Sequence, residues 1–224
     1  MIASVDSSAE SDDDPSIVAM DRRSLHTTLE AVAAFYDARQ VGETGGLGFR
    51  RTTRLSAIVA CLDRWLDGGI VVPGRSRFLD IGCGDGRVNV LFSYLTQASL
   101  GIEIDEWTLD EYLPLRRQLD QELAEQGLPL PEDNIVLLHG DSLDQAVHDE
   151  MRRTSATTFG DIDLFFTFLT LHDELAPRIA ADAKDGAIFI VYGLDNILPR
   201  YDGLTLLEEA SSLADQLVLY RKET

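Results

Sequence analysis

At 224 residues and 45% hydrophobic, the chain holds enough apolar side chain for one good-sized core and too little for two full catalytic domains. Its 39 acidic against 19 basic residues leave a net charge of -20 with no basic run, which disfavours tight binding to nucleic acid through its phosphates. No apolar run approaches the ~20 residues of a membrane-spanning helix, and the opening MIASVDSSAESDDD is acidic where a secretory signal is basic and then apolar, so a cytoplasmic protein with no membrane partner is expected.

Residues 1–16, rich in Ser, Asp and Glu, read as an acidic tail with too little apolar surface to offset the entropy of ordering. Leu25, Leu29, Val32, Ala33 and Tyr36 then recur at helical spacing, and Leu55, Ile58, Val59, Leu62, Trp65 and Leu66 mark a second helix. Between them, residues 42–54 carry four glycines and three arginines, either a loop that closes over a ligand or a plain linker. The stretch 17–72 is thus an N-terminal addition of two helices and a loop. The main domain is placed at 73–224, where the pattern changes after Pro73-Gly74.

From there, strand-length apolar runs at Arg77 to Ile81, Leu100 to Ile104, Asn134 to His139, Ile162 to Leu169 and Ala187 to Tyr192 alternate with amphipathic stretches such as Trp107 to Gln126 and Leu143 to Arg153. This alternation predicts an α/β fold, a doubly wound, mostly parallel sheet covered on both faces. At the end of the chain, Leu204 to Glu208 and Leu217 to Arg221 predict a hairpin, with a helix over 204–214 as the alternative. Cys61 and Cys83 are too few and too far apart for a disulfide framework or a zinc site. Only two residues, Lys184 and Lys222, are lysines, and aspartates outnumber glutamates 25 to 14. Such a surface is either a solvation adaptation to high salt or an attraction for a cationic substrate.

In a doubly wound sheet, ligands sit beyond the carboxyl ends of the strands where the strand order reverses. The first strand there runs into Asp80-Ile81-Gly82-Cys83-Gly84-Asp85-Gly86-Arg87, with glycines that let the backbone turn sharply and approach a ligand. A dinucleotide fingerprint, G-x-G-x-x-G, would need a third glycine where Arg87 stands, which disfavours a nucleotide-dependent oxidoreductase.

Asp-x-Gly-x-Gly-x-Gly at a strand end resembles the first motif of the class I S-adenosylmethionine-dependent methyltransferases, over roughly residues 45–195. The resemblance implies a seven-stranded Rossmann-like sheet and S-adenosylmethionine as cofactor. It also implies a site in which Asp80 organises the turn and meets the methionine amino group, and Gly82, Gly84 and Gly86 admit the cofactor. Asp85 would lie within polar reach of it or cap the following helix. Glu103 would take the ribose hydroxyls, with Ile104 beside it, and Trp107 would pack on the adenine or in the core. Asp141 would meet the adenine amino group with Ser142 as neighbour, unless either caps the next helix, and Thr167 would end the fourth strand near the transferred methyl. More narrowly, Gly84-Asp85-Gly86-Arg87, Gly101-x-Glu103 and Trp107 resemble a subgroup that includes bacterial and mitochondrial protein-lysine methyltransferases.

The acceptor implied is a protein side chain, with lysine one case, or a small molecule. No familiar substrate motif follows the fourth strand, where Thr170-Leu171-His172-Asp173 stands. His172, and more weakly Tyr192, are the candidates for a general base. A metal site is not expected. The rival reading is a catalytically silent S-adenosylmethionine-binding module that acts through a partner, and the oligomeric state is not legible.

Overall fold

The computed structural model describes residues 20–39, 52–194 and 198–224, so the acidic tail and most of the 42–54 loop lie outside the described residues. A seven-stranded sheet organises the chain: β1 (Arg77–Ile81), β2 (Ala98–Glu103), β3 (Ile135–His139), β4 (Leu164–Phe168), β5 (Ile188–Tyr192), β6 (Leu204–Leu206) and β7 (Leu217–Lys222). Their order is β3-β2-β1-β4-β5-β7-β6, parallel from β3 to β5, with β7 antiparallel to both β5 and β6. This is the doubly wound, mostly parallel architecture expected. The order reverses between β1 and β4, which fixes the carboxyl end of β1 as the switch point.

Helices α1 (Arg22–Asp37), α2 (Leu55–Asp67), α3 (Arg87–Ser93) and α5 (Tyr112–Glu125) share one face of the sheet, packed around fully buried Trp65, Tyr36, Phe78 and Phe92. Helices α6 (Gln145–Ser155) and α7 (His172–Asp182) cover the other, over Phe165, Phe189 and Met151. α2 has no cap of its own, because Arg54 offers no acceptor there. The Asp37 carboxylate at the end of α1 takes that role and accepts from Leu55 N at 2.7 Å and Ser56 N at 3.0 Å. An acceptor at a helix start is worth about 0.5–2 kcal/mol. None of the described helices is long and apolar enough to cross a membrane.

The single stretch expected over Trp107 to Gln126 is instead two helices, α4 (Glu106–Leu109) and α5. Pro114 explains the break: its ring would strike the carbonyl of Asp110 in a continuous helix, and it has no N–H to offer it. The terminal hairpin forms as β6 and β7, and no helix crosses 204–214. Both lysines are tied into the structure. Lys184 Nζ donates to the Asp161 carbonyl at 2.9 Å and faces Asp163, while Lys222 donates to the Ala183 carbonyl near Asp185.

Candidate cofactor site

At the end of β1 the chain turns through Gly82, Gly84 and Gly86 at φ +83, +57 and +72, a region that side-chain-bearing residues rarely adopt. Two of these glycines do different work. A Cβ on Gly86 would come within 2.8 Å of both Leu137 and Tyr112, so this glycine serves packing. A Cβ on Gly82 would meet nothing within 4 Å, and this glycine lines a pocket at the end of β1. Gly101, on β2, is required for a different reason: a Cβ there would lie 2.6 Å from Leu137 and 2.8 Å from both Asn89 and Cys83, closing the space in which the turn rests on the sheet.

The pocket is acidic. Asp80, Asp85 and Glu103 line it with Arg87 as the one cation among its described lining residues. Asp80 is 2% exposed, and no donor among the described residues reaches its carboxylate. Burial, reinforced by Glu103 and Asp85, holds its carboxyl well above the ordinary aspartate range. Glu103 is also buried but fixed in place: Gly84 N donates to Oε2 at 2.8 Å and Asp105 N to Oε1 at 2.9 Å. Each oxygen keeps a second lone pair for a ligand donor. The glycine turn therefore orients the carboxylate at the end of the neighbouring strand.

Asp85 lines the pocket and also accepts from Arg87 N at 3.3 Å at the start of α3. Its carboxylate grips the Arg87 guanidinium in a buried pair, with Nε to Oδ1 at 2.9 Å and Nη2 to Oδ2 at 2.7 Å. Arg87 lies 5.5 Å from the centre of the Tyr36 ring on α1, so the residue that departs from a dinucleotide fingerprint latches the N-terminal helices to the glycine turn.

Five of the expected residues, Asp80, Gly82, Gly84, Asp85 and Glu103, line the pocket together, and Gly86 sits behind it. Ile104, just after β2, and Trp107, on α4, are 66% and 84% exposed, so Trp107 is not a core residue. Asp105 caps α4 by accepting from Trp107 N. Asp141 and Ser142 follow β3, where Gly140 N donates to the Glu103 carbonyl at 2.9 Å and brings that turn beside the end of β2. Asp141 accepts from Leu143 N, while Ser142 is buried.

Thr167 does not line the pocket. Its hydroxyl donates to the Ile81 carbonyl at 2.9 Å, while Phe166 and Phe168, on the alternate positions of β4, do line it. His172 is hydrogen-bonded through Nδ1 to the Tyr201 hydroxyl at 2.5 Å and paired with Asp173 at 3.0 Å, and it is absent from the pocket wall. Tyr192 likewise stands outside that wall, its hydroxyl accepting from Arg54 N at 3.3 Å. The lining residues that sequence reasoning did not single out are Cys83, Arg87, Val88, Thr108, Phe166 and Phe168, while Thr52 and Thr53 come from the end of the 42–54 loop. Among the described residues, no group of three or more His, Cys, Asp or Glu is placed to hold a metal ion.

No family model matches the sequence, and no curated protein matches it. Several solved structures are similar to it over part of their length. The tRNA (m1A58) methyltransferase TrmI from Aquifex aeolicus is 14% identical over 88% of this chain and 76% of its own, with a TM-score of 0.48. An RNA methyltransferase from Salinibacter ruber, solved in complex with S-adenosyl-L-homocysteine, is 17% identical over 77% of this chain and 92% of its own, with a TM-score of 0.43. The YcgJ protein from Bacillus subtilis is 15% identical over 59% of this chain, with a TM-score of 0.37, and the match spans about half, 49%, of YcgJ.

Proposed function

We propose that this chain is a class I S-adenosylmethionine-dependent methyltransferase, with 73–224 as the cofactor-binding domain and 17–72 as its N-terminal addition. The observation that carries the reading is the pairing of an open glycine turn with two buried carboxylates at the switch point. Asp80 has no donor among the described residues, and Glu103 is held by the turn itself. An unpartnered buried carboxylate calls for a cationic or hydrogen-bond-donating ligand. S-adenosylmethionine offers an ammonium for Asp80 and two ribose hydroxyls for Glu103.

In this reading Gly82 and Gly84 admit the cofactor, and Ile104 and Trp107 present exposed apolar surface to the adenine. Asp141, in the turn beside the end of β2, takes the adenine amino group, with Ser142 as its buried neighbour. The bound cofactor supplies an electrophilic methyl group on a sulfonium that is its own leaving group. The chain binds and orients cofactor and acceptor and keeps water from the reacting atoms. Isothermal titration with S-adenosylhomocysteine, at low and at molar salt, tests the assignment. Micromolar binding at either salt supports it, and no binding to a folded sample overturns it.

The acceptor is a protein side chain, lysine being the amine that fits an acidic surface and the subgroup resemblance, or a small molecule. Phe166 and Phe168 supply an apolar wall against which an acceptor loses its water. A radiolabelled-methyl screen over proteins and metabolites separates the two. One observation favours a second reading, a catalytically silent binding module: the imidazole of His172 and the phenol of Tyr192 are both engaged elsewhere. Transfer of label to any acceptor sinks that reading, since an amine can also lose its proton to water before transfer.

A further inference from the structure

The turn after β3 is held from beneath by two side chains that the proposed chemistry does not use. The carbonyl of Ser142 accepts from His148 Nε2 on α6 at 2.7 Å and from Arg178 Nη1 on α7 at 2.8 Å. Helix α6 is pressed close to the same turn: a Cβ on Gly140 would come within 3.1 Å of Val147. The guanidinium carbon of Arg178 lies 4.5 Å from the centre of the Phe159 ring, and His148 meets that ring edge-on at 5.6 Å. Thus the three residues that carry Asp141 are fastened to two helices through a single carbonyl.

Because a carbonyl only accepts, His148 must carry its proton on Nε2, which leaves Nδ1 as a bare acceptor. That atom is buried and has no partner among the described residues, in a residue only 5% exposed. A buried polar atom without a partner calls for an explanation. A second proton on this ring would put a buried N–H donor where no acceptor waits, beside the guanidinium of Arg178.

We propose that His148 and Arg178 are positioning residues for the Gly140–Ser142 turn, and that protonation of His148 loosens this hold and so weakens binding at the adenine side of the pocket. The adenine part rests on the methyltransferase reading above, while the release of the turn does not. The groups facing the imidazole are Arg178 from α7, Asp149 from its own helix, and Asp144 with the Ser142 carbonyl from the turn. Burial, first, and Arg178 oppose the second proton, while the Ser142 carbonyl and the two aspartates favour it, and the balance lowers the histidine's affinity for protons below its ordinary value of 6.5. By linkage, a state that takes up the proton more readily gains on the closed turn as pH falls below that value, by at most about tenfold per pH unit for one proton.

Two measurements on the full chain, between about pH 7.5 and 5.5, test this. The first is amide hydrogen exchange of residues 143–146 in the free protein, corrected for the intrinsic rate. Protection is expected to fall severalfold with acidification in the wild type, to stay level in His148→Gln, which keeps a donor for the Ser142 carbonyl, and to fall less steeply in Arg178→Gln, which removes the neighbouring cation. The second is titration with adenosine, which bears neither ammonium nor sulfonium and so is blind to Asp80. Its affinity should follow the same three patterns. Equal slopes in wild type and His148→Gln, or a flat wild-type profile, overturn the proposal, and Arg178→Gln decides the matter if the histidine variant does not fold. Loss of protection without binding of adenosine or S-adenosylhomocysteine at any pH would instead overturn the cofactor reading and leave the release of the turn standing.

Discussion

The carboxyl ends of β1 and β2 and those of β4 and β5 lie side by side in one sheet, yet they treat polar side chains in opposite ways. At the first pair, Asp80 is buried without a donor among the described residues, and the oxygens of Glu103 are oriented by backbone amides with lone pairs to spare. At the second pair, the Thr167 hydroxyl ties β4 to the end of β1, His172 is bonded to Tyr201, and Tyr192 receives an amide from the segment leading into α2. The sheet thus leaves one buried carboxylate, Asp80, without a donor among the described residues at one end and ties up the hydroxyls and the imidazole at the other. The polar residues after β4 and β5 are struts, and the surface they leave to the pocket is aromatic.

The largest effect expected tests whether Asp85 belongs with the struts. Removing the guanidinium in Arg87→Met leaves a buried carboxylate unpaired, and breaking such a pair by taking away one partner costs about 3–5 kcal/mol. A urea denaturation series would read that loss. A change below 1 kcal/mol would mean that Asp85 does not depend on Arg87 and is free to face a ligand. Glu103→Ala comes next. It should weaken S-adenosylhomocysteine binding by about 1.5–3 kcal/mol, the worth of hydrogen bonds to a charged group, as measured by isothermal titration. Unchanged affinity would remove Glu103 from the ribose.

Asp80 sharpens the comparison, because its two roles pull apart. Asp80→Asn keeps a polar group but removes the ionisable one, so it should stabilise the ligand-free protein at neutral pH by about 1.4 kcal/mol for each pH unit by which the carboxyl is raised, while lowering affinity for a ligand that carries an ammonium. The pH dependence follows from the sign of its shift. The folded-state carboxyl holds its proton above the ordinary aspartate value of 3.8, so the unfolded chain gives up that proton first. Stability is therefore fully present below 3.8 and falls as pH rises from there to the raised value, then levels. The asparagine variant should lack that decline in thermal melts taken across the acid range. A parallel decline in both proteins would show that Asp80 is compensated in solution.

Much of this was legible in the residues. β1 and its glycine turn and the alternation of strand and helix follow from apolar runs and glycine spacing, since those signals are local, while Glu103 was singled out by the family resemblance. What was not legible depends on three-dimensional neighbours. In Leu164-Phe165-Phe166-Thr167-Phe168 nearly every position is apolar, so period-two alternation cannot say which face meets the pocket, and Thr167 was expected where Phe166 and Phe168 stand. The pairing of Asp85 with Arg87 could have been weighed from two opposite charges flanking Gly86, but its contact with Tyr36 joins residues 51 positions apart. Pro114 did announce the break between α4 and α5, and the apolar spacing around it concealed the signal.

The smallest effect concerns Tyr192, whose hydroxyl was first a candidate base. Its phenol oxygen accepts from Arg54 N, and Arg54 directly follows Thr52 and Thr53 in the pocket wall. If the phenol is a strut, Tyr192→Phe should cost about 0.5–1.5 kcal/mol of stability, the net worth of one hydrogen bond. Any loss of transfer should then appear as weaker binding of cofactor or acceptor rather than as a slower step at saturation. A general base behaves otherwise: kcat would fall by about a hundredfold or more at unchanged stability. Steady-state kinetics of the variant on whichever acceptor the screen identifies would separate the two, because a displaced wall raises KM while a missing base lowers kcat.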